Sequence, residues 1–461
     1  MTDERLDVYD HSKGTTDWRL RYPQQLVDRL EWFQDLKLGL ILHWGIYSLW
    51  DCCESWPLVP EDTWARPDSL KCWQDCGKDI EKFQKAYWNL NRSFNPEEFD
   101  PTSWAKAAKD AGFKYVNFTT KHHDGFCMWD TKTTDYRVTH SDCPHHTHPK
   151  ADIARAVFDA FRAEGLAISC YFSKADWHTP HYWNPQWPAN TRCHNYDRFE
   201  HPEIWDRFKA FTFAQLEELM SQYGPIDVLW LDGGQVGPPV SDIDMASIAK
   251  MARKHQPGLI IVDRVITGEF ENVITPEHQI PDAPLDEPWE SCLPMGQGWK
   301  YFKPDEQFKP LTKVLELIIE TVSKGGNLLL GHGPTPQGTL QEAALERMKG
   351  LGAWLQVNGE AVYGTRAIAP YGEGARIRFT QKADKVYAFV FPQEGDKAGN
   401  EERLTIRSFV PKAGSKLTML GVADALEWRN EQKGFSVMLP SRNAADAQLP
   451  VTLEFEPSTQ A

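Results

Sequence analysis

The amino-acid sequence predicts an α/β fold: a (β/α)8-like TIM barrel over residues 1–358, followed by a small C-terminal antiparallel β-sandwich over residues 359–461. Three observations predict it. Between about residues 22 and 357, short apolar runs alternate with amphipathic stretches, the pattern of repeated β-then-α units. Those apolar runs do not alternate with polar residues, as expected of strands covered on both faces of a parallel sheet. Beyond about residue 360 the runs shorten, alternate and are divided by polar turns, as in a sandwich. An open doubly wound sheet is the alternative to the barrel. No GxGxxG follows the first run, which weighs against a nucleotide-binding version.

The elements follow in order. "KLGLILHW" (37–44) is the first strand, and "DPTSWAKAAKDAG" (100–112) is a helix that opens on an Asp-Pro-Thr-Ser cap and ends in Gly. "KYVNFTT" (114–120), "LAISCYFS" (166–173), "IDVLWLD" (226–232), "GLIIVDR" (258–264) and "NLLLG" (327–331) are further strands. Between and after them, 150–165, 201–224, 311–326 and 339–359 have helical periodicity. In the C-terminal part, "ARIRFTQKADKVYAFVFP", "ERLTIRSFV", "SKLTMLG", "FSVMLP" and "PVTLEFEP" supply the sandwich strands.

Composition narrows the function. A net charge of −15 lacks the basic footprint that nucleic acid requires, and it disfavours anionic membranes and polyanionic substrates. No run of 18 apolar residues occurs, so no membrane span is expected. The N-terminus "MTDERLDVYDHSKG" shows neither a basic nor an apolar signal region, so the expected location is cytoplasmic. Nine cysteines without a CxxC pair suit reduced thiols. The 19 Trp exceed what packing needs and suit the stacking of flat apolar faces, sugar rings included. Nothing implies a cofactor, and a homo-oligomer is left open.

A barrel places its chemistry at the C-terminal ends of its strands. His43 follows the first strand, and His122, His123 and Asp124 follow the second. Tyr171 ends the third, and Asp232-Gly233-Gly234 follows the fourth. "VLWLDGG" drives a carboxylate out of an apolar strand into a tight turn, with Trp230 two residues earlier; the bland reading is a turn aspartate. Glycoside hydrolysis needs a second carboxylate. The Pro-rich stretch "TPEHQIPDAPLDEPWESC" supplies Glu277 and Glu290, unless it is only a solvated acidic loop. "KHHDGF" by itself also fits a metal site. The insert "CPHHTHPK", with His145, His146 and His148, reads as a solvated loop, with metal binding as its alternative.

"KLGLILHWGIYSLW", "KYVNFTTKHHDGFCMWDTKTTDY", "PIDVLWLDGG", "WESCLPMGQGWKY", "GGNLLLGHGPTPQGTL" and "NGEAVYGTR" together resemble glycoside hydrolase family 29, the α-L-fucosidases, from about residue 20 to 366. The resemblance implies a retaining double displacement on a fucosylated glycan, with no metal. Asp232 matches the nucleophile. Glu277 is the first choice for the acid/base, and Glu290 is the rival or a substrate-binding residue. His43, His122 and His123 match residues that bind fucose hydroxyls, and Asp124 would orient one of them. Tyr171 and Trp230 fall near the nucleophile, and Trp299 faces the fucose methyl. Glu54 and Trp56 correspond to a Glu-Trp pair that touches the sugar, although Ser55 intervenes here. Gly331 and His332 stand where many relatives carry Asn-Val, and Lys300 departs from the commoner pattern in "GWKY". A metal-dependent barrel hydrolase and a catalytically silent carbohydrate-binding barrel are the competing readings.

Overall fold

A computed structural model describes residues 17–303, 307–393, 399–443 and 446–458. Its first part holds seven parallel strands: β1 (Leu38–Leu42), β2 (Tyr115–Lys121), β3 (Ala167–Ser173), β4 (Val228–Asp232), β5 (Ile260–Asp263), β6 (Glu290–Pro294) and β7 (Asn327–His332). Their order is β5-β4-β3-β2-β1-β7-β6. Nearly every strand residue is buried, which explains the unbroken apolar runs. The helix Pro101–Asp110 shows how the outer layer forms. Asp100 accepts from the Thr102 N–H at 3.2 Å, Pro101 starts the first turn, and Trp104, Ala105 and Ala108 face the sheet.

The (β/α)8-like expectation needs one refinement. The eighth place, between β5 and β6, is filled by an irregular segment around 272–278. Asn272 N–H donates to Ile261 O at 2.9 Å on the β5 side. On the β6 side, Glu290 N–H donates to Ile274 O at 2.8 Å and Cys292 N–H to Pro276 O at 2.9 Å. Pro276 has no N–H to give back, so a regular ladder cannot form. Closure still holds in the interior. Ile41, Tyr115, Tyr171, Trp230, Val262, Val273, Cys292 and Leu329 form one cluster drawn from all seven strands and this segment. Leu26, Leu30 and Phe33 of the helix Gln24–Leu36 join the same cluster. β6 itself lies in the stretch expected to be loop; its five residues, "ESCLP", are all buried.

The C-terminal part pairs a five-stranded sheet, β12-β15-β10-β9-β8, with a three-stranded one, β11-β14-β13. The strands are β8 (Gly372–Glu373), β9 (Ile377–Lys382), β10 (Lys385–Val390), β11 (Glu402–Ile406), β12 (Leu417–Met419), β13 (Trp428–Asn430), β14 (Phe435–Leu439) and β15 (Val451–Phe455). Phe379, Ala388 and Leu453 from one sheet meet Leu404, Phe435 and Val437 from the other in a closed apolar core. The opposite side of the larger sheet packs on the barrel. Tyr387 and Phe389 belong to the barrel's own outer core, and the Trp354 indole N–H donates to Pro450 O at 2.8 Å. All nine cysteines are free thiols. Among the described residues, no helix is long and apolar enough to cross a membrane.

Because Trp354 is 5% exposed and bridges both parts, Trp354→Ala is expected to cost about 3–5 kcal/mol in chemical denaturation. The midpoints of both parts should fall together. A loss confined to the sandwich would show that the shared core does not couple them.

Candidate active site

Strand alternation decides what reaches the barrel mouth. In β4, Val228 and Trp230 point into the barrel and Leu229 and Leu231 out to the helices. Asp232 therefore emerges inward at the top of the barrel. Gly233 then takes φ +98°, a turn a side chain would resist. Tyr171 O–H donates to Asp232 Oδ2 at 2.6 Å, and Arg264 Nη1 donates to Oδ1 at 3.0 Å. Burial pushes this carboxyl up. Arg264, His123, Tyr171 and His122 outweigh it and hold Asp232 well below the usual carboxylate range. The group is a carboxylate across the working pH range, as a nucleophile must be.

Arg264 leaves the end of β5 and donates with Nη2 to Glu277 Oε2. One guanidinium thus spans both carboxyls. That suits the separation of about 5–5.5 Å of a retaining pair better than the roughly 6.5–9.5 Å of an inverting one. The aim of Arg264 is held by local strain. Val265 has φ 57°, in the left-handed region, where a β-branched residue is an outlier. A Cβ on Gly234 would lie 2.2 Å from Val265 Cγ2, so that glycine makes the conformation feasible. Trp299 Nε1 donates to Glu277 Oε1 at 3.1 Å.

Three imidazoles complete the floor. The His122 and His123 ring centres are 4.4 Å apart, and those of His43 and His122 are 5.4 Å apart. Each Nδ1 faces a hydroxyl: Thr119 at 3.0 Å for His43, Ser55 at 2.5 Å for His122, and Ser173 for His123. Burial pushes His43 and His123 down to about 4 and His122 well below its ordinary value. All three are neutral at pH 7, each with an Nε2 left for a ligand. His123 Nε2 lies 3.7 Å from Asp232 Oδ2 and, among the described residues, has no hydrogen-bond partner. Glu54 Oε1 is buried and likewise unpartnered, and burial pushes its carboxyl up to about 7.

A cavity of about 1020 Å³ gathers His43, Glu54, Trp56, His122, His123, Asp232, Glu277 and Trp299 on one surface. Trp56 packs 5.0 Å from His123, with the Arg192 guanidinium 4.4 Å over its ring. Ser55, which separates Glu54 from Trp56, holds His122. Gly331 has a local reason too: a Cβ there would lie 2.4 Å from the Trp299 ring. Lys300 donates to Asp51 Oδ1 at 2.6 Å at the cavity edge.

Three expected site residues do not line the cavity, although one of them, Tyr171, touches Asp232 from below. Glu290 is the first residue of β6, at the end of the barrel opposite the mouth. It is buried and accepts from Tyr115 O–H and, at 3.2 Å, from Trp230 Nε1. Trp230 and Tyr171 are also buried and do not line the cavity. Their rings stack at 5.3 Å and 20°, so they support Asp232 from below instead of meeting a sugar. Among the described residues, no imidazole hydrogen-bonds Asp124. It accepts from Tyr87 O–H at 2.8 Å and Phe126 N–H at 3.0 Å, and the serines do the orienting expected of it. His145 is not solvated as expected of its loop; it is buried, 4.6 Å from the His148 ring. Arg264 was not anticipated. It ends "GLIIVDR", a polar residue closing an apolar run, the same signal that marks Asp232.

His122, His123 and Asp232 offer ligand atoms within 4.8 Å of one another, close enough for a metal. Arg264 argues against one, because a cation there would compete with a guanidinium already on Asp232.

The family model described as Alpha-L-fucosidase matches residues 16–360, and that described as Alpha-L-fucosidase C-terminal domain matches residues 374–456. The chain is 26% identical over 451 residues to tissue alpha-L-fucosidase of Bos taurus, covering 94% of this chain and 88% of that relative. It resembles the solved alpha-L-fucosidase isoenzyme 1 from Paenibacillus thiaminolyticus at 29% identity and TM-score 0.75, over 94% of this chain and 100% of that one. It also resembles Thermotoga maritima alpha-fucosidase in complex with a mechanism-based inhibitor, at 25% identity and TM-score 0.73, over 95% of this chain and 99% of that one.

Burial pushes Glu290 up to about 7. A carboxyl raised in the folded state contributes stability below its unfolded value, near 4.5, and loses it as pH rises through 7. Glu290→Gln should therefore flatten the pH dependence. Wild type is expected to lose up to roughly 3 kcal/mol relative to the variant between pH 4.5 and 7, read by denaturant midpoints. Parallel curves for the two proteins would show that Glu290 ionises freely.

Proposed function

The chain belongs to the α-L-fucosidase family, glycoside hydrolase family 29, and from that premise we propose how its residues divide the work. It is a retaining exo-α-L-fucosidase that releases terminal α-L-fucose by double displacement. One observation carries the assignment of roles: a single guanidinium, Arg264, holds Asp232 and Glu277 together in a cavity floored by neutral imidazoles.

Asp232 attacks the anomeric carbon as Glu277 gives its proton to the glycosidic oxygen. The C–O bond to the leaving group breaks, and a fucosyl ester forms on Asp232. Glu277, now a carboxylate, takes a proton from water, whose oxygen attacks the same carbon and frees Asp232. Tyr171 and Arg264 fix the carboxylate for both steps. Proton delivery requires Glu277 to leave the Arg264 fork as the sugar enters. His43, His122, His123 and Glu54 have the free nitrogens and oxygen to bind the fucose hydroxyls, and the Trp299 face suits the methyl. The substrate is a fucosylated oligosaccharide or glycoconjugate. The metal-dependent reading fails on Arg264, and the silent reading fails on a nucleophile that is present and ionised.

Asp232→Gly is expected to lower hydrolysis of an aryl α-L-fucoside at least about 10⁴-fold, with azide restoring turnover as β-fucosyl azide. Wild-type rates in that variant would remove Asp232 from the mechanism. Glu277→Ala should cost about 10²–10⁴-fold on unactivated leaving groups and respond to azide, while Glu290→Gln stays within about tenfold. The reverse ranking would make Glu290 the acid/base.

A further inference from the structure

The mechanism uses Glu277 but leaves its neighbour unexplained. His278 has φ 56°, a left-handed conformation that costs a non-glycine residue about 1–2 kcal/mol. Its backbone is pinned there, because its N–H donates to Cys292 O at 3.0 Å, one of the two hydrogen bonds of the parallel Glu277–Cys292 bridge. In an extended segment, successive side chains point to opposite faces. Here the left-handed turn brings the His278 side chain back beside that of Glu277.

The imidazole packs on Trp299 at 5.2 Å, and its Nε2 lies 3.9 Å from Glu277 Oε1. The side chain is 45% exposed, against 30% for Glu277 and 13% for Arg264. The order from the interior outward is therefore Arg264, Glu277, His278. The ring lines the cavity, and among the described residues its nitrogens make no hydrogen bond.

The glycosidic oxygen must come within hydrogen-bond reach of Glu277, and the leaving group continues from that oxygen towards solvent. It then passes His278. We propose that His278 is a leaving-group contact: a ring nitrogen hydrogen-bonds a hydroxyl of the sugar that carries the fucose, favouring glycans over simple fucosides. The inference rests on the fucosidase reading and on Glu277 as acid/base. Imidazole can donate or accept, so it suits a hydroxyl-rich leaving group better than an apolar one.

The test compares two substrates that both need the Glu277 proton: a fucosylated disaccharide, and cyclohexyl α-L-fucoside, whose alkyl leaving group carries no hydroxyl for His278. His278→Gly suits the backbone conformation, and His278→Asn keeps that conformation and a hydrogen-bonding group. The glycine variant is expected to lose about five- to tenfold in kcat/KM on the disaccharide and to stay within twofold on the cyclohexyl fucoside. The asparagine variant should recover part of that loss. Equal losses on both substrates would overturn the proposal, making His278 a positioning residue for Glu277. No loss on the disaccharide would also overturn it. If the wild type cleaves neither substrate, the fucosidase reading itself fails, an outcome distinct from both.

Discussion

Two carboxyl groups placed close together repel, and ordinarily one of them gives up its charge. Arg264 changes that balance. Its fork reaches both Asp232 and Glu277, so Asp232 stays ionised although both groups sit in a largely buried cavity. Much of the surrounding backbone serves this contact. Val265 is held left-handed directly after the arginine, Gly234 leaves room for the valine, and Gly233 turns the chain away from Asp232. The irregular segment around 272–278 then delivers Glu277 to the other arm. A regular eighth strand would alternate its side chains strictly, and His278 could not share a wall with Glu277.

A second support rises through the barrel axis. Glu290 holds the Trp230 indole N–H, Trp230 stacks on Tyr171, and Tyr171 donates to Asp232. The two carboxyls at the ends of this column differ in charge because their surroundings differ. Among the described residues Glu290 has only neutral side-chain donors, Tyr115 and Trp230, and burial keeps its proton on up to about 7. Asp232 is also buried, but a guanidinium touches it. Burial therefore decides the case of Glu290, and at Asp232 the guanidinium overrides it.

This contrast also shows what the sequence could reveal. The strand-end residues His43, His122, His123 and Asp232 were legible, because apolar runs that stop at a polar residue mark where a barrel strand ends. Glu54, Trp56 and Trp299 were legible only through family resemblance, since each lies in a loop whose path no local pattern dictates. The rivalry between Glu277 and Glu290 could not be resolved from spacing, as both belong to one acidic, Pro-rich stretch. What separates them is β6. Its five residues are too few to show a period, yet they place Glu290 at the foot of a strand and leave Glu277 at the mouth. Asp124 misled for a related reason. Adjacency in "HHD" suggests contact, but the fold turns Asp124 toward Tyr87 and gives the histidines to serines and a threonine.

Departures from the family pattern become informative at this scale. Ser55, which interrupts the Glu-Trp pair, holds His122 at 2.5 Å, so the extra residue adds a restraint on a sugar-facing ring. Gly331 has no side chain, and the space where one would stand is filled by the indole of Trp299. That indole donates to Glu277 and also backs His278. A larger residue at 331 would push Trp299 into the cavity and disturb both contacts together. The identity of a residue at the end of β7 thus reaches Glu277 through one ring, and packing here determines where that carboxyl sits.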